Sequence, residues 1–274
     1  MKLTYLFLVL SLLVSLACTQ PEANQDAAST APVAAKSEPA PEPVSGDGPQ
    51  SPRDIDNTAG ENKSIFSMAP NSDVMNLCNI HFHVNAEHKA AAYSILDEGE
   101  AGGYKCDIAL SEAELAAPEG DICKGLKPGD TIEMHWVYSS CNVEPGKGLG
   151  SCLSDACANP NLRVEAQVFI LVNDPNALNF DDFRVGDPIN GYHQPKALPS
   201  GTGEPVTYLG STTGPSFTAE LGSPLQVSWS VRPECAKLDI NSLGSWCEGN
   251  VFQEDHAHGV RKLVVDPKQL SEIK

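Results

Sequence analysis

The chain has 274 residues, with 36 Asp and Glu against 18 Lys and Arg, for a formal net charge of −18. That balance argues against nucleic acid as a partner, because a phosphate-binding surface needs clustered Lys and Arg. Frequent glycine (22) and proline (21), few aromatics (6%) and no long helical periodicity argue against a long-helix architecture and for a strand-rich α+β class.

Lys2 followed by the apolar run Leu3 to Leu16 and then Ala17-Cys18 reads as an export signal over residues 1–17. The run is too short for a comfortable membrane span. Val14-Ser15-Leu16-Ala17-Cys18 resembles a bacterial lipoprotein signal, in which the cysteine becomes the lipidated N-terminus. Thr19, where aspartate would signal inner-membrane retention, resembles lipoproteins sorted to an outer membrane. Residues 18–46 are rich in Ala, Pro, Glu, Ser and Gln and contain no aromatic residue. Such a segment cannot bury enough apolar surface to offset its ordering entropy, so a disordered tether is expected. Residues 47–274 suffice for one core and are read as one domain. The expected location is periplasmic or cell-surface, with a membrane partner through Cys18.

Eight cysteines remain beyond Cys18, an even set that in an exported chain favours disulfides over metal thiolates. Their connectivity is open; Cys235 with Cys247 is a plausible local closure. Strands are expected in Cys78 to Val84, Thr131 to Tyr138, Val164 to Val172, Leu225 to Val231 and Val260 to Val265. Ser111 to Ala117 is expected as a short helix, with Ser111 as cap and Glu114 three residues on. Asn142 to Pro160 reads as a surface loop stapled by its cysteines.

Two of these strands carry the candidate site. His81 and His83 alternate on one face of the first, and His135 lies on the polar face of the second, where Ile132, Met134 and Trp136 take the other side. Three neutral imidazoles with an open fourth position describe a catalytic zinc site rather than a closed structural one. A histidine ligand usually gives its other ring N–H to an oxygen, and Asn79 and Glu133, each two residues before a histidine, are placed to accept it. Glu87-His88 follows closely, and Tyr208 to Pro215 adds hydroxyls that could aim a metal hydroxide at substrate.

These segments together resemble α-type carbonic anhydrases in order and in kind. His81-Phe82-His83, Glu87-His88, Glu133-Met134-His135 and Tyr208 to Pro215 look like that family's active-site motifs, with Gly48 to Ile55 like its Gln-Ser-Pro segment and Val227-Ser228-Trp229 like its late Val-x-Trp strand. The wording of Cys78 to Lys89 and His135 to Cys141 is most similar to the δ class. The resemblance spans about Gly48 to Arg232 and implies a single domain around a large, twisted, mainly antiparallel sheet. It implies His81, His83 and His135 as zinc ligands, with cobalt or cadmium as possible substitutes. Thr212 would be a gatekeeper hydroxyl whose proton Glu87 holds, and Thr213 would line the bicarbonate site. His88 would be a buried structural histidine bonded to Glu133 and Tyr208. Val137, Val227 and Trp229 would form the wall that receives carbon dioxide.

The departures are local. Only three residues separate His83 from Glu87, Lys89 to Asp130 is an insertion, and Ser211 runs into Thr212 without an intervening apolar residue. No residue matches the family's usual proton-shuttle histidine; His193, His256 and His258 are candidates by titration range only, with surface positions expected. The expected function is zinc-dependent, reversible hydration of carbon dioxide to bicarbonate. The alternatives are a non-catalytic zinc-buffering lipoprotein, a domain kept for adhesion, and another metal-dependent hydrolase.

Overall fold

The alternation of Asn79, His81 and His83 with Ile80 and Phe82 becomes strand β1 (Asn76–Val84) in the computed structural model, which describes residues 51–120, 122–211, 223 and 225–274. β1 pairs antiparallel with β4 (Thr131–Ser139), and β4 pairs antiparallel with β5 (Leu162–Val172). Between β1 and β4 lie two-residue strands, β2 (Ile95–Leu96) and β3 (Tyr104–Lys105), which pair with each other. Beyond β5, β7 (Val227–Val231) runs parallel to it, and β6 (Val206–Gly210) closes the edge antiparallel to β7. β8 (Ala236–Asp239) pairs parallel with the far end of β5, giving a six-stranded mixed sheet in the order β1-β4-β5-β7-β6.

Every residue of β4 and β5 is buried, as expected when both faces of a sheet are covered. One face packs Ile80, Phe82, Met134, Trp136, Phe169 and Leu171 against the helix α1 (Ile240–Cys247), through Leu243 and Trp246. The opposite face carries Val137, Val164, Ala166, Tyr208, Val227 and Trp229. His81, His83 and His135 lie on this second face, because the register sets His81 opposite His135 and His135 opposite Ala166. Alternation thus separates a packing face from a chemical face.

Four disulfides tie the loops down: Cys78–Cys152, Cys106–Cys235, Cys123–Cys247 and Cys141–Cys157. The local closure of Cys235 with Cys247 is therefore wrong. Each instead reaches back to a cysteine of the Lys89 to Asp130 insertion, 129 and 124 positions away, and fastens it to the C-terminal half. The loop after β4 is stapled twice, by Cys141–Cys157 and by Cys152 to β1.

Three element assignments also change. Ser111 to Ala117 forms one turn rather than a helix: the Ser111–Glu114 capping contacts are made, but Pro118 follows at once and Glu114 is drawn aside to Lys237. Val260 to Val265 is irregular. Val206 to Gly210, where no strand is expected from sequence, is an edge strand that takes in Tyr208 to Gly210 of the hydroxyl-bearing segment. The export signal over 1–17, the tether over 18–46 and Cys18 lie outside the described residues. Among the described residues no helix is long and apolar enough to cross a membrane.

Candidate metal centre

A β-bulge at Cys78 sets the phase of β1, after which Asn79, His81 and His83 share one face. One ring nitrogen from each of His81, His83 and His135 lies within 4.8 Å of the others. The second nitrogen of each ring has an oxygen partner. Asn79 Oδ1 accepts from His81 Nδ1 at 2.7 Å, the Gly259 carbonyl accepts from His83 Nδ1 at 3.0 Å, and Glu133 Oε1 accepts from His135 Nε2 at 3.0 Å. These contacts fix the tautomers and turn His81 Nε2, His83 Nε2 and His135 Nδ1 inward as lone pairs. His83 Nε2 is buried and has no hydrogen-bond partner among the described residues, and His135 Nδ1 stands only 3.3 Å from His81 Nε2. Lone pairs aimed at one another repel, so the arrangement calls for a cation between them. The donor set fits zinc: three neutral imidazoles, each with an oriented partner.

Burial is the largest influence on the His81 and His83 rings. It pushes His81 well below its ordinary value and His83 down to about 4, with the neighbouring imidazoles adding to the shift. Both are therefore neutral at pH 7 and available as ligands. His83 and His135 are buried and His81 is intermediate, so the site opens on the His81 side.

Glu133, which could have been a solvated strand carboxylate, is completely buried. It accepts from His135 Nε2, from His88 Nδ1 at 2.5 Å, and from the backbone N–H groups of Glu87 and His88. Burial pushes its carboxyl upward, but the His88 and His135 rings outweigh burial and hold it well below the usual carboxylate range. Behind it, His88 Nε2 lies 2.8 Å from the Tyr208 hydroxyl, which lies 2.7 Å from Ser51 Oγ. The short connection after His83 works because Asn85 takes a positive φ of 61° and redirects the chain at the end of β1. Glu87 and His88 then turn back beneath the triad.

Trp229 stacks on Tyr208 and meets the His135 ring edge-on at 5.5 Å, with Val137, Val164 and Val227 on the same face. Thr212 and Thr213 lie outside the described residues; Ser211 just before them is buried. His193 pairs with Glu144. His256 is exposed beside Asp255, whereas His258 stands against the triad, its ring 5.8 Å from that of His81 and bonded to Glu254.

Sequence reasoning gave Gly259 and Arg261 no place at the site, although Val260 to Val265 was expected as a strand. The segment that supplies them runs alongside β1 through backbone bonds of His258 to Phe82 and Val84, and Arg261 reaches Glu87. No local pattern shows which strand it meets.

A family model described as Delta carbonic anhydrase matches residues 72–242. No curated protein and no solved structure matches the chain.

Proposed function

The chain belongs to the delta carbonic anhydrase family, and from that membership we propose a zinc-dependent enzyme that interconverts carbon dioxide and bicarbonate at His81, His83 and His135. One observation carries the reading of the site: three ring nitrogens converge as lone pairs with no donor among the described residues, while each ring's other nitrogen is held by an oxygen. When bound, zinc supplies Lewis acidity that brings a coordinated water's ionisation into the neutral range, a property established for carbonic anhydrases as a class rather than read from this chain.

The chain's own residues do the rest. Asn79, Gly259 and Glu133 orient the three ligands, and burial keeps His81 and His83 neutral. Val137, Val227 and Trp229 form an apolar wall beside His135, suited to a small nonpolar substrate and to excluding water from it. Thr212 and Thr213, which follow buried Ser211, orient the nucleophile and hold bicarbonate. Glu87 fixes charge beneath the site. Substrate enters and the proton leaves on the His81 side, where His258 stands. Cys18 carries lipid and anchors the exported domain to a membrane, a reading supported by the apolar run that ends at Ala17-Cys18.

The test is stopped-flow carbon dioxide hydration with metal analysis and a sulfonamide control. One zinc per chain with sulfonamide-sensitive hydration is expected. One zinc per chain without hydration would leave a zinc-buffering lipoprotein instead.

A further inference from the structure

Arg261 has no role in the reading above, yet it makes four hydrogen bonds to one buried carboxylate at the site. Its backbone N–H donates to Glu87 Oε1 at 2.8 Å. Its Nε donates to Oε1 at 2.9 Å and to Oε2 at 3.1 Å, and its Nη2 donates to Oε2 at 2.5 Å. Glu87 is 1% exposed, and the guanidinium lies over the Trp229 ring at 5.5 Å.

The clamp matters because of what Glu87 would otherwise do. Glu87 Oε1 stands 3.3 Å from His83 Nδ1, whose N–H is taken by the Gly259 carbonyl at 3.0 Å. A carboxylate is a stronger acceptor than a carbonyl, so an unclamped Glu87 would compete for that hydrogen and rotate the ring. A carboxylate offers about four lone-pair directions, and Arg261 takes most of them. Gly259 and Arg261 are two residues apart, so one short segment both accepts from His83 and restrains its competitor. That segment lies beyond residues 72–242, the stretch matched by the family.

We propose that Arg261 is a positioning residue of the metal centre: by holding the Glu87 carboxylate in a two-pronged clamp it reserves the His83 Nδ1 hydrogen for Gly259 and so aims His83 Nε2 at the metal. The proposal rests on the site being a three-histidine metal centre. Lysine would keep the charge but lose the fork, so Arg261→Lys should restore only part of what Arg261→Met removes.

The test measures zinc affinity by chelator competition and the visible spectrum of the cobalt-loaded protein, for the parent, Arg261→Met and Arg261→Lys. Arg261→Met is expected to weaken zinc binding at least roughly tenfold, the scale of losing a ligand's supporting contact. It should also alter the cobalt bands, with Arg261→Lys intermediate; in the hydration assay kcat should fall more than KM rises. Parent-like zinc affinity and cobalt spectrum in Arg261→Met would overturn the proposal. If that variant does not fold, the same result in Arg261→Lys would overturn it. Parent hydration tests the enzymatic reading separately, since affinity and spectrum do not depend on turnover.

Discussion

Asn79 joins two parts of the molecule through one side chain: its Oδ1 accepts from His81 Nδ1 at 2.7 Å, and its Nδ2 donates to the Gly146 carbonyl at 3.1 Å. A metal ligand is thereby aimed from the stapled loop that follows β4. Asn79→Leu should keep the fold, because the residue caps no element, but leave His81 free to rotate. Zinc affinity is expected to fall roughly 10- to 100-fold, as for other supporting contacts of ligand histidines. Chelator competition measures it, and an unchanged affinity would mean that His81 is held by packing alone.

The same loop is pinned by Cys78–Cys152, and the Cys78 carbonyl accepts from Gly146 N–H and Ser151 Oγ. Replacing both cysteines by alanine removes a cross-link closing 74 positions of chain. A loss of about 3–5 kcal/mol in guanidinium unfolding is expected. Zinc affinity should fall with it, because the bulge that phases Asn79 and His81 loses its anchor. Loss of stability with full affinity would separate the disulfide from the site.

Glu133→Ala should be among the most damaging substitutions in the protein. It strands four buried donors: two imidazole N–H groups and two backbone amides. Removing one partner from such a buried charged network costs about 3–5 kcal/mol. Urea unfolding of the metal-free variant reads the effect directly; a cost under about 1 kcal/mol would show that water replaces the carboxylate.

The metal-free protein should lose stability as pH falls below neutrality. His83 ionises at 6.5 when unfolded and at about 4 when folded, with burial the largest cause. Above 6.5 both states are neutral and the residue contributes no pH dependence. Between 6.5 and 4 the unfolded chain binds the proton first, removing roughly 3 kcal/mol by pH 4. His81 acts in the same direction. Burial pushes Glu87 up, Arg261 outweighs it and holds the group at about 2, so this carboxylate's contribution is present above 4.5 and is lost as pH falls toward 2. His258, raised by Glu254, has the opposite sign, but its half-exposed ring weakens it. Unfolding curves at pH 7.5, 6 and 4.5 test the trend, and bound zinc should leave it at least as steep, because the ligated rings stay unprotonated while the unfolded chain still takes up protons.

If Cys18 carries lipid, Cys18→Ser should move the protein from the membrane fraction to the soluble exported fraction. Equal membrane association of parent and variant would point to another means of attachment.

The period-two alternation of Asn79, His81 and His83, and of Glu133 and His135 opposite Met134 and Trp136, was readable before any fold was known. Side-chain direction along a strand depends only on the residue's own position, so shared faces follow from spacing. The same logic made Asn79 and Glu133 visible as partners of the histidines. The meeting of β1 with β4 depended on sheet register, which sequence spacing alone does not determine. Cys106–Cys235 and Cys123–Cys247 were likewise out of reach, because pairing across more than 120 positions leaves no local trace. Gly259 and Arg261 show the limit most clearly: local pattern pointed to a strand over Val260 to Val265, the segment is irregular, and its place beside His83 and Glu87, 176 and 174 positions away, is decided only when the chain closes on the edge of β1.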